Sequence, residues 1–205
     1  MPDHPLPREF FRVDAPTLAV RLIGCRMARR LPGGEVLRGL IVETEAYTGV
    51  RDRASHAFGG RRTARNEAMY ARAGTAYVYF TYGMHFCMNV VCGEVNDPSA
   101  VLLRALEPLH GIETMRTARA TRSRPNPAEA DLCSGPGKLC RALSIGREEN
   151  GLDLTLGEVV WIEGPPDGWV VPPLDNTARI GLSIGGVWAK RRLRWHIRDH
   201  PHVSA

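Results

Sequence analysis

No stretch of this chain approaches the ~20 consecutive apolar residues that a membrane-crossing helix needs, so no membrane partner is expected. The first residues, Met1 to Pro7, lack the basic-then-apolar pattern of a secretory signal. An intracellular, cytoplasmic protein is expected. Cysteine is sparse: Cys25, Cys87, Cys92, Cys133 and Cys140 are odd in number and contain no CxxC pair. A zinc site wants closer pairs with histidine partners, so buried free thiols and no metal are expected. The segment Ser134-Gly135-Pro136-Gly137-Lys138-Leu139 looks like a phosphate loop but lacks the GxxxxGK[ST] spacing, which excludes an NTPase reading. No internal repeat or linker interrupts the chain. One domain over residues 1–205 follows, with the Pro-rich residues 1–8 loose.

What is present is a 43% hydrophobic chain with a net charge of +5. That is enough apolar material for a core. The basic balance is the expected footprint of a polyanion partner, because each neutralised phosphate releases counterions. Lys138 and Lys190 are the only lysines, so arginine carries the charge. A planar guanidinium grips phosphate through two hydrogen bonds.

Asp14-Ala15-Pro16 reads as a helix start, with Asp as cap and Pro in the first turn. Leu22 to Met27 and Val36 to Val42 read as an antiparallel pair around Pro32-Gly33-Gly34. Residues 48–66 form a long loop, with Asn66 to Tyr70 helical. Tyr77 to Val91 is a hairpin with its turn near Tyr82-Gly83. Val101 to Leu106 is a strand, Leu109 to Thr121 a helix, and Gly137 to Leu143 another helix. Val159 to Ile162, Ile180 to Ile184 and Arg194 to Ile197 read as short late strands.

Chemistry concentrates between residues 41 and 89. Glu43 and Glu45 lie two apart on an apolar strand and so share a face, with Ile41 and Tyr47. A carboxylate there must be paired or functional. Arg104 stands mid-strand in Val101 to Leu106 and needs an acceptor. A salt bridge to Glu107 or Glu43 and an active-site role both satisfy it. Tyr77 and Tyr79 share a strand face. Tyr82 falls at the hairpin tip, where it is a poor core residue and a good wedge between base steps. His56 is either structural or a base-stacking group. The Gly-rich turn before residues 137–143 offers backbone N–H groups to a DNA phosphate.

The blocks ETEAY, RN, YVYFTYGMHFCMN, VLLRALEP, MR and LCSGPGKLC, in this order, resemble the alkyladenine (3-methyladenine) DNA glycosylase family. The resemblance covers about residues 9 to 200 and lacks the long N-terminal tail of vertebrate members. It implies a mixed α+β fold, a single domain around a curved antiparallel sheet with surrounding helices and a protruding β-hairpin. It implies base-excision repair: hydrolytic removal of alkylated or deaminated purines from double-stranded DNA, without cofactor or metal, by a monomer at the nucleoid. The family's catalytic glutamate falls on Glu45 and the arginine that helps hold the nucleophilic water on Arg104. Its base-pocket aromatics fall on Tyr47, His56 and Tyr79, its screening asparagine on Asn89, and its intercalating tyrosine on Tyr82. Arg65, Ser134, Gly135 and Lys138 are expected on the DNA backbone. His85 stands where many members have another tyrosine, so the tip packs differently.

No lysine is placed as a Schiff-base nucleophile, so an abasic site without strand nicking is expected. The rival readings are a non-catalytic module that recognises damaged DNA and a domain acting on RNA. The first would tolerate loss of the Glu45 charge. The second would bind structured RNA without needing a damaged base.

Overall fold

Eight antiparallel strands carry the fold of the computed structural model, which describes residues 4–182, 184 and 186–204. They are β1 (Arg26–Arg30), β2 (Val36–Tyr47), β3 (Ala76–Thr81), β4 (His85–Cys92), β5 (Ser99–His110), β6 (Val160–Glu163), β7 (Leu174–Thr177) and β8 (Arg194–Ile197). The sheet runs β3-β4-β5-β2-β1-β6, and β8 pairs with both β2 and β7. It curls into a half-barrel within a single α+β domain. The helices are short: α1 (Arg8–Phe11), α2 (Ala15–Leu22), α3 (Ile112–Arg119), α4 (Pro136–Ala142) and α5 (Val187–Lys190).

Asp14 caps α2 as expected, accepting the Thr17 N–H at 2.9 Å. Ala15, Leu18, Ala19 and Leu22 share its buried face, the helical spacing that lays one stripe on a sheet. Leu22 therefore ends this helix and does not open a strand. The chain then turns at Gly24, whose φ of +85° only glycine adopts readily and against which the Trp169 ring packs. A main core cluster surrounds Phe11, Leu18, Met27, Ile41, Leu103 and Leu106. A second, small cluster of Ala57, Met69, Tyr70, Tyr77, Val91 and Ala100 supports the 48–70 loop.

Long strand β2 organises the sheet. Its first half pairs with β1 and its second half, at Glu43 to Glu45, with β8, while β5 runs along its other edge. Three register shifts interrupt the β2–β5 ladder: Leu109 is unmatched between Pro108 and His110 and, beside the carboxylates, Val42 is unmatched between Ile41 and Glu43 and Arg104 between Leu103 and Ala105. Such bulges re-aim side chains and cluster beside active sites. Here the latter two bring Glu43, Glu45 and Arg104 together.

Other expectations need correction. Leu109 belongs to the end of β5, and α3 begins at Ile112. Ile180 to Leu182 form no strand, because Gly181 is left-handed (φ +71°) and the Ile180 N–H is bonded to a side chain; Ser183 lies outside the described residues. Strand β7 was not anticipated. At the N-terminus, expected to be loose, Leu6 donates its N–H to the Ile162 carbonyl at 2.7 Å and Pro5 bridges Glu163.

Candidate active site

Glu43 and Glu45 are both fully buried. Arg104 spans them: Nε donates to Glu43 Oε1 at 2.8 Å, and Nη1 lies 3.2 Å from Glu45 Oε1. Their surroundings set them apart. Glu43 also accepts from Arg194 Nε (2.6 Å), from the Ser204 hydroxyl (2.8 Å) and from the Ser204 N–H (2.7 Å). Burial raises its carboxyl, but two arginines and the Ser204 N–H outweigh that and hold it below the ordinary range. Glu45 accepts the Ile180 N–H at 2.7 Å and the Tyr47 hydroxyl at 3.0 Å. There burial prevails over Arg104 and the two hydrogen bonds, and the carboxyl is pushed up. Glu43 is paired with two arginines, and Glu45 is the carboxyl whose proton affinity is raised.

Tyr47, Arg104 and Ile180, the three groups that hold Glu45, line a cavity of about 670 Å³. Aromatic rings line it as well. His56 meets Tyr79 edge-on at 4.6 Å between centroids, and Tyr77 lies 5.4 Å from Tyr79. His56 Nδ1 is 2.7 Å from the Tyr77 hydroxyl. Burial, with Arg65 and Arg61 nearby, pushes His56 down to about 4, so the imidazole is neutral at physiological pH. Asn89 is buried on the same wall and donates its amide to the Tyr77 carbonyl at 3.1 Å. The cavity presents the rings of Tyr47, His56, Tyr77 and Tyr79, with Arg53, Arg61 and Arg65 also on its lining and Glu45 buried behind Tyr47, Arg104 and Ile180. Those features suit an electron-poor planar ring.

A buried ion pair braces these walls. Arg179 grips Asp52 with both terminal nitrogens, at 2.6 and 2.9 Å, and donates to the Ala46 carbonyl. Its guanidinium carbon stacks 4.6 Å from the Tyr47 centroid. Asp52 in turn accepts the N–H groups of Thr48 and Ala54. Asn66 then ties the loop by donating to the carbonyls of His56 and Arg61.

The β3–β4 hairpin overhangs the cavity. Tyr82 (φ 51°) and Gly83 (φ 67°) are both left-handed, and Met84 N–H closes the turn onto Thr81. A left-handed tyrosine is strained by roughly 1–2 kcal/mol, and such strain collects at functional sites. Tyr82 is 77% exposed and Met84 68%. The hairpin is stiffened by Phe80 against Phe86, centroids 5.0 Å apart. His85 lies against Gly137 of α4, where an added Cβ would come within 3.0 Å of its ring. That contact is how the tip packs with a histidine at 85.

The profile of the family described as Methylpurine-DNA glycosylase (MPG) matches residues 9–201, nearly all of the chain. The chain belongs to the methylpurine-DNA glycosylase family. The relatives of this family member include the human DNA-3-methyladenine glycosylase, 46% identical over 96% of this chain and 66% of the human protein. A probable DNA-3-methyladenine glycosylase of Encephalitozoon cuniculi is 44% identical, over 91% of this chain and 86% of its own. A putative 3-methyladenine DNA glycosylase of Clostridium perfringens is 39% identical, over 97% of this chain and 98% of its own. The chain spans 66% of the human and 60% of the mouse relative's length.

Of the residues singled out in the sequence of this glycosylase-family chain, Arg104, Tyr47, His56, Tyr79 and Asn89 line one cavity with Tyr82 at its rim, and Glu45 is fully buried against the lining residues Tyr47, Arg104 and Ile180. Arg65 also reaches the rim: it donates to the Phe80 carbonyl and lies 5.7 Å from the Tyr79 centroid. The turn before α4 is held by its own hydrogen bonds. The Gly135 N–H bonds the Cys133 carbonyl, and Lys138 engages Ser134 at 3.0 Å and Asp131 at 3.4 Å. Sequence reading missed Asp52, Arg179, Arg194 and Ser204. All four act through partners more than 100 residues away, and no local pattern announces such pairings. The cysteines are free and buried, as expected. No helix among the described residues is long and apolar enough to cross a membrane.

Proposed function

We propose that this chain is a monofunctional DNA glycosylase that hydrolyses the N-glycosidic bond of alkylated or deaminated purines rotated out of duplex DNA. The observation that carries this is a buried, strengthened carboxylate behind the floor of an aromatic cavity, held by Arg104, Tyr47 and the Ile180 N–H. A purine inside a duplex is out of reach, so the nucleotide is flipped at an unstacking cost of a few kcal/mol. Tyr82 fills the vacated step from the minor groove. Tyr47, His56 and Tyr79 enclose the base. Glu45 takes a proton from water as its oxygen attacks C1′, and its charge stabilises the oxocarbenium-like sugar. The bond to the purine breaks, its electron pair leaves with the base, and an abasic site remains. An N-alkylated purine is already cationic and leaves as a neutral base. Its partner is therefore double-stranded DNA, at the nucleoid, bound by a monomer without metal or cofactor.

The test is release of free 3-methyladenine and hypoxanthine from modified duplexes, with an intact strand in the product. Release supports the reading. Binding without release would move it to a damage-recognition module.

Two further outcomes are expected. Tyr82→Ser should slow excision from duplex by about tenfold or more, the equivalent of losing part of the flipping energy, with single-stranded substrate much less affected. An equal loss on both substrates would contradict the wedge. Asn89 donates its amide to the Tyr77 carbonyl, which holds it where the 2-amino group of normal guanine would meet it. Asn89→Ser should raise release of undamaged guanine, measured by chromatography of free bases. Unchanged guanine release would end that explanation.

A further inference from the structure

Ser204 lies beyond residues 9–201, the stretch that the family profile matches, yet it is 8% exposed and reaches the centre of the site. It makes four polar contacts there. Its N–H donates to Glu43 Oε2 (2.7 Å) and its hydroxyl donates to Glu43 Oε1 (2.8 Å). The same hydroxyl oxygen accepts from Arg104 Nη2 at 3.0 Å, and the Ser204 carbonyl accepts from Arg194 Nη2 at 3.3 Å.

A guanidinium held at one nitrogen can rotate about that contact. Arg104 is held at two: Nε on Glu43 and Nη2 on Ser204. These two fix its plane, and the remaining nitrogen, Nη1, then points to Glu45. The Ser204 hydroxyl gives its proton to an ionised carboxylate while accepting from a cation. Each of those bonds polarises the other in the same sense. The segment leading to Ser204 is itself moored, with His200 Nε2 3.3 Å from Glu107 Oε2 on β5 and the Val203 N–H on the His200 carbonyl.

We propose that Ser204 is a positioning residue: its hydroxyl, set between Glu43 and Arg104, fixes the guanidinium plane and aims Nη1 at Glu45. The proposal rests on the reading of Glu45 as the water-activating base. It assigns a task to Glu43 as well, that of the anvil on which both Ser204 and Arg104 are seated.

The experiment compares wild type, Ser204→Ala and Ser204→Thr by two independent readouts. The first is the single-turnover rate at saturating enzyme, beside the Kd for the same lesion-containing duplex. The second is the Arg104 Nε–H resonance of the free protein and its exchange with solvent. Ser204→Ala should lower the rate by about tenfold, the scale of a small misplacement in a catalytic site, with the Kd within about twofold. The Arg104 resonance should lose protection. Ser204→Thr, which keeps the hydroxyl, should restore both. If Ser204→Ala does not fold, Ser204→Cys keeps the size with a weaker donor and should give a smaller loss of the same kind. An unmoved Arg104 resonance in Ser204→Ala, or in Ser204→Cys where that variant replaces it, overturns the proposal, as does a loss confined to Kd or to Tm. A wild type that releases no base, with the Arg104 resonance still responding to Ser204, overturns the enzymatic reading and leaves the Ser204–Arg104 linkage standing.

Discussion

Glu45→Gln should abolish base release, by about 10³-fold or more where general-base catalysis and charge stabilisation are both lost, while binding of lesion-containing duplex persists. Glutamine can still accept the Ile180 N–H, and its amide fits beside the Tyr47 hydroxyl, so the cavity keeps its shape. What disappears is the proton acceptor and the negative charge beneath C1′. Loss of the proton acceptor has a counterpart in pH dependence. Burial raises the Glu45 carboxyl above its ordinary value of 4.5, and a base works only when ionised. The acidic limb of kcat/KM should therefore lie above 4.5, and activity should fall as pH drops through it. His56 is not the source of that limb, because it already stays neutral down to about 4. A stability consequence follows by linkage. A carboxyl whose folded value is raised opposes folding once it ionises, so stability declines as pH rises from the ordinary value through the folded one. Glu45→Gln escapes that decline, and its Tm at neutral pH should equal or exceed the wild-type Tm. A variant that retains excision, or that loses excision only because it no longer binds, would remove Glu45 from its role.

The parts of this molecule that announce themselves in sequence are those set by local geometry. Asp14 with Pro16 signals a cap, and Tyr82-Gly83 between alternating strand residues signals a turn. Glu43 and Glu45, two apart, signal a shared strand face, and both do reach Arg104. The resemblance supplied what spacing alone left open, the choice of Glu45 over Glu43. Three things were hidden, each for a physical reason. The unmatched Arg104 on β5 is a property of two strands paired in space, so no single-strand alternation reveals it. Ile180 to Leu182 has an apolar run compatible with a strand, but a left-handed glycine and an N–H committed to Glu45 take it out of any ladder. The pairing of Arg179 with Asp52 crosses 127 positions. An arginine in a loop sequence looks solvated until the fold closes around it.

That last pair should produce the largest loss of stability. Arg179 and Asp52 both have fully buried side chains, and each neutralises the other's charge. A buried pair of this kind is weak evidence for net stabilisation, but removing one partner strands the other charge in a dry interior at a cost of about 3–5 kcal/mol. For a domain of this size that corresponds to a Tm lower by roughly 6–20 °C. Arg179→Met should show this drop, while Arg179→Met combined with Asp52→Asn should recover part of it, because the stranded charge is gone. Thermal unfolding of the two singles and the double would give the coupling directly. Activity should not recover in step. The double variant still lacks the cation behind Tyr47, the bond to the Ala46 carbonyl and the anchor that presents the next residue's N–H to Glu45. Excision should therefore stay depressed in a protein whose stability has partly returned. Full recovery of both together would reduce the pair to a scaffold, and additive losses in the double variant would show that Arg179 and Asp52 do not depend on one another at all.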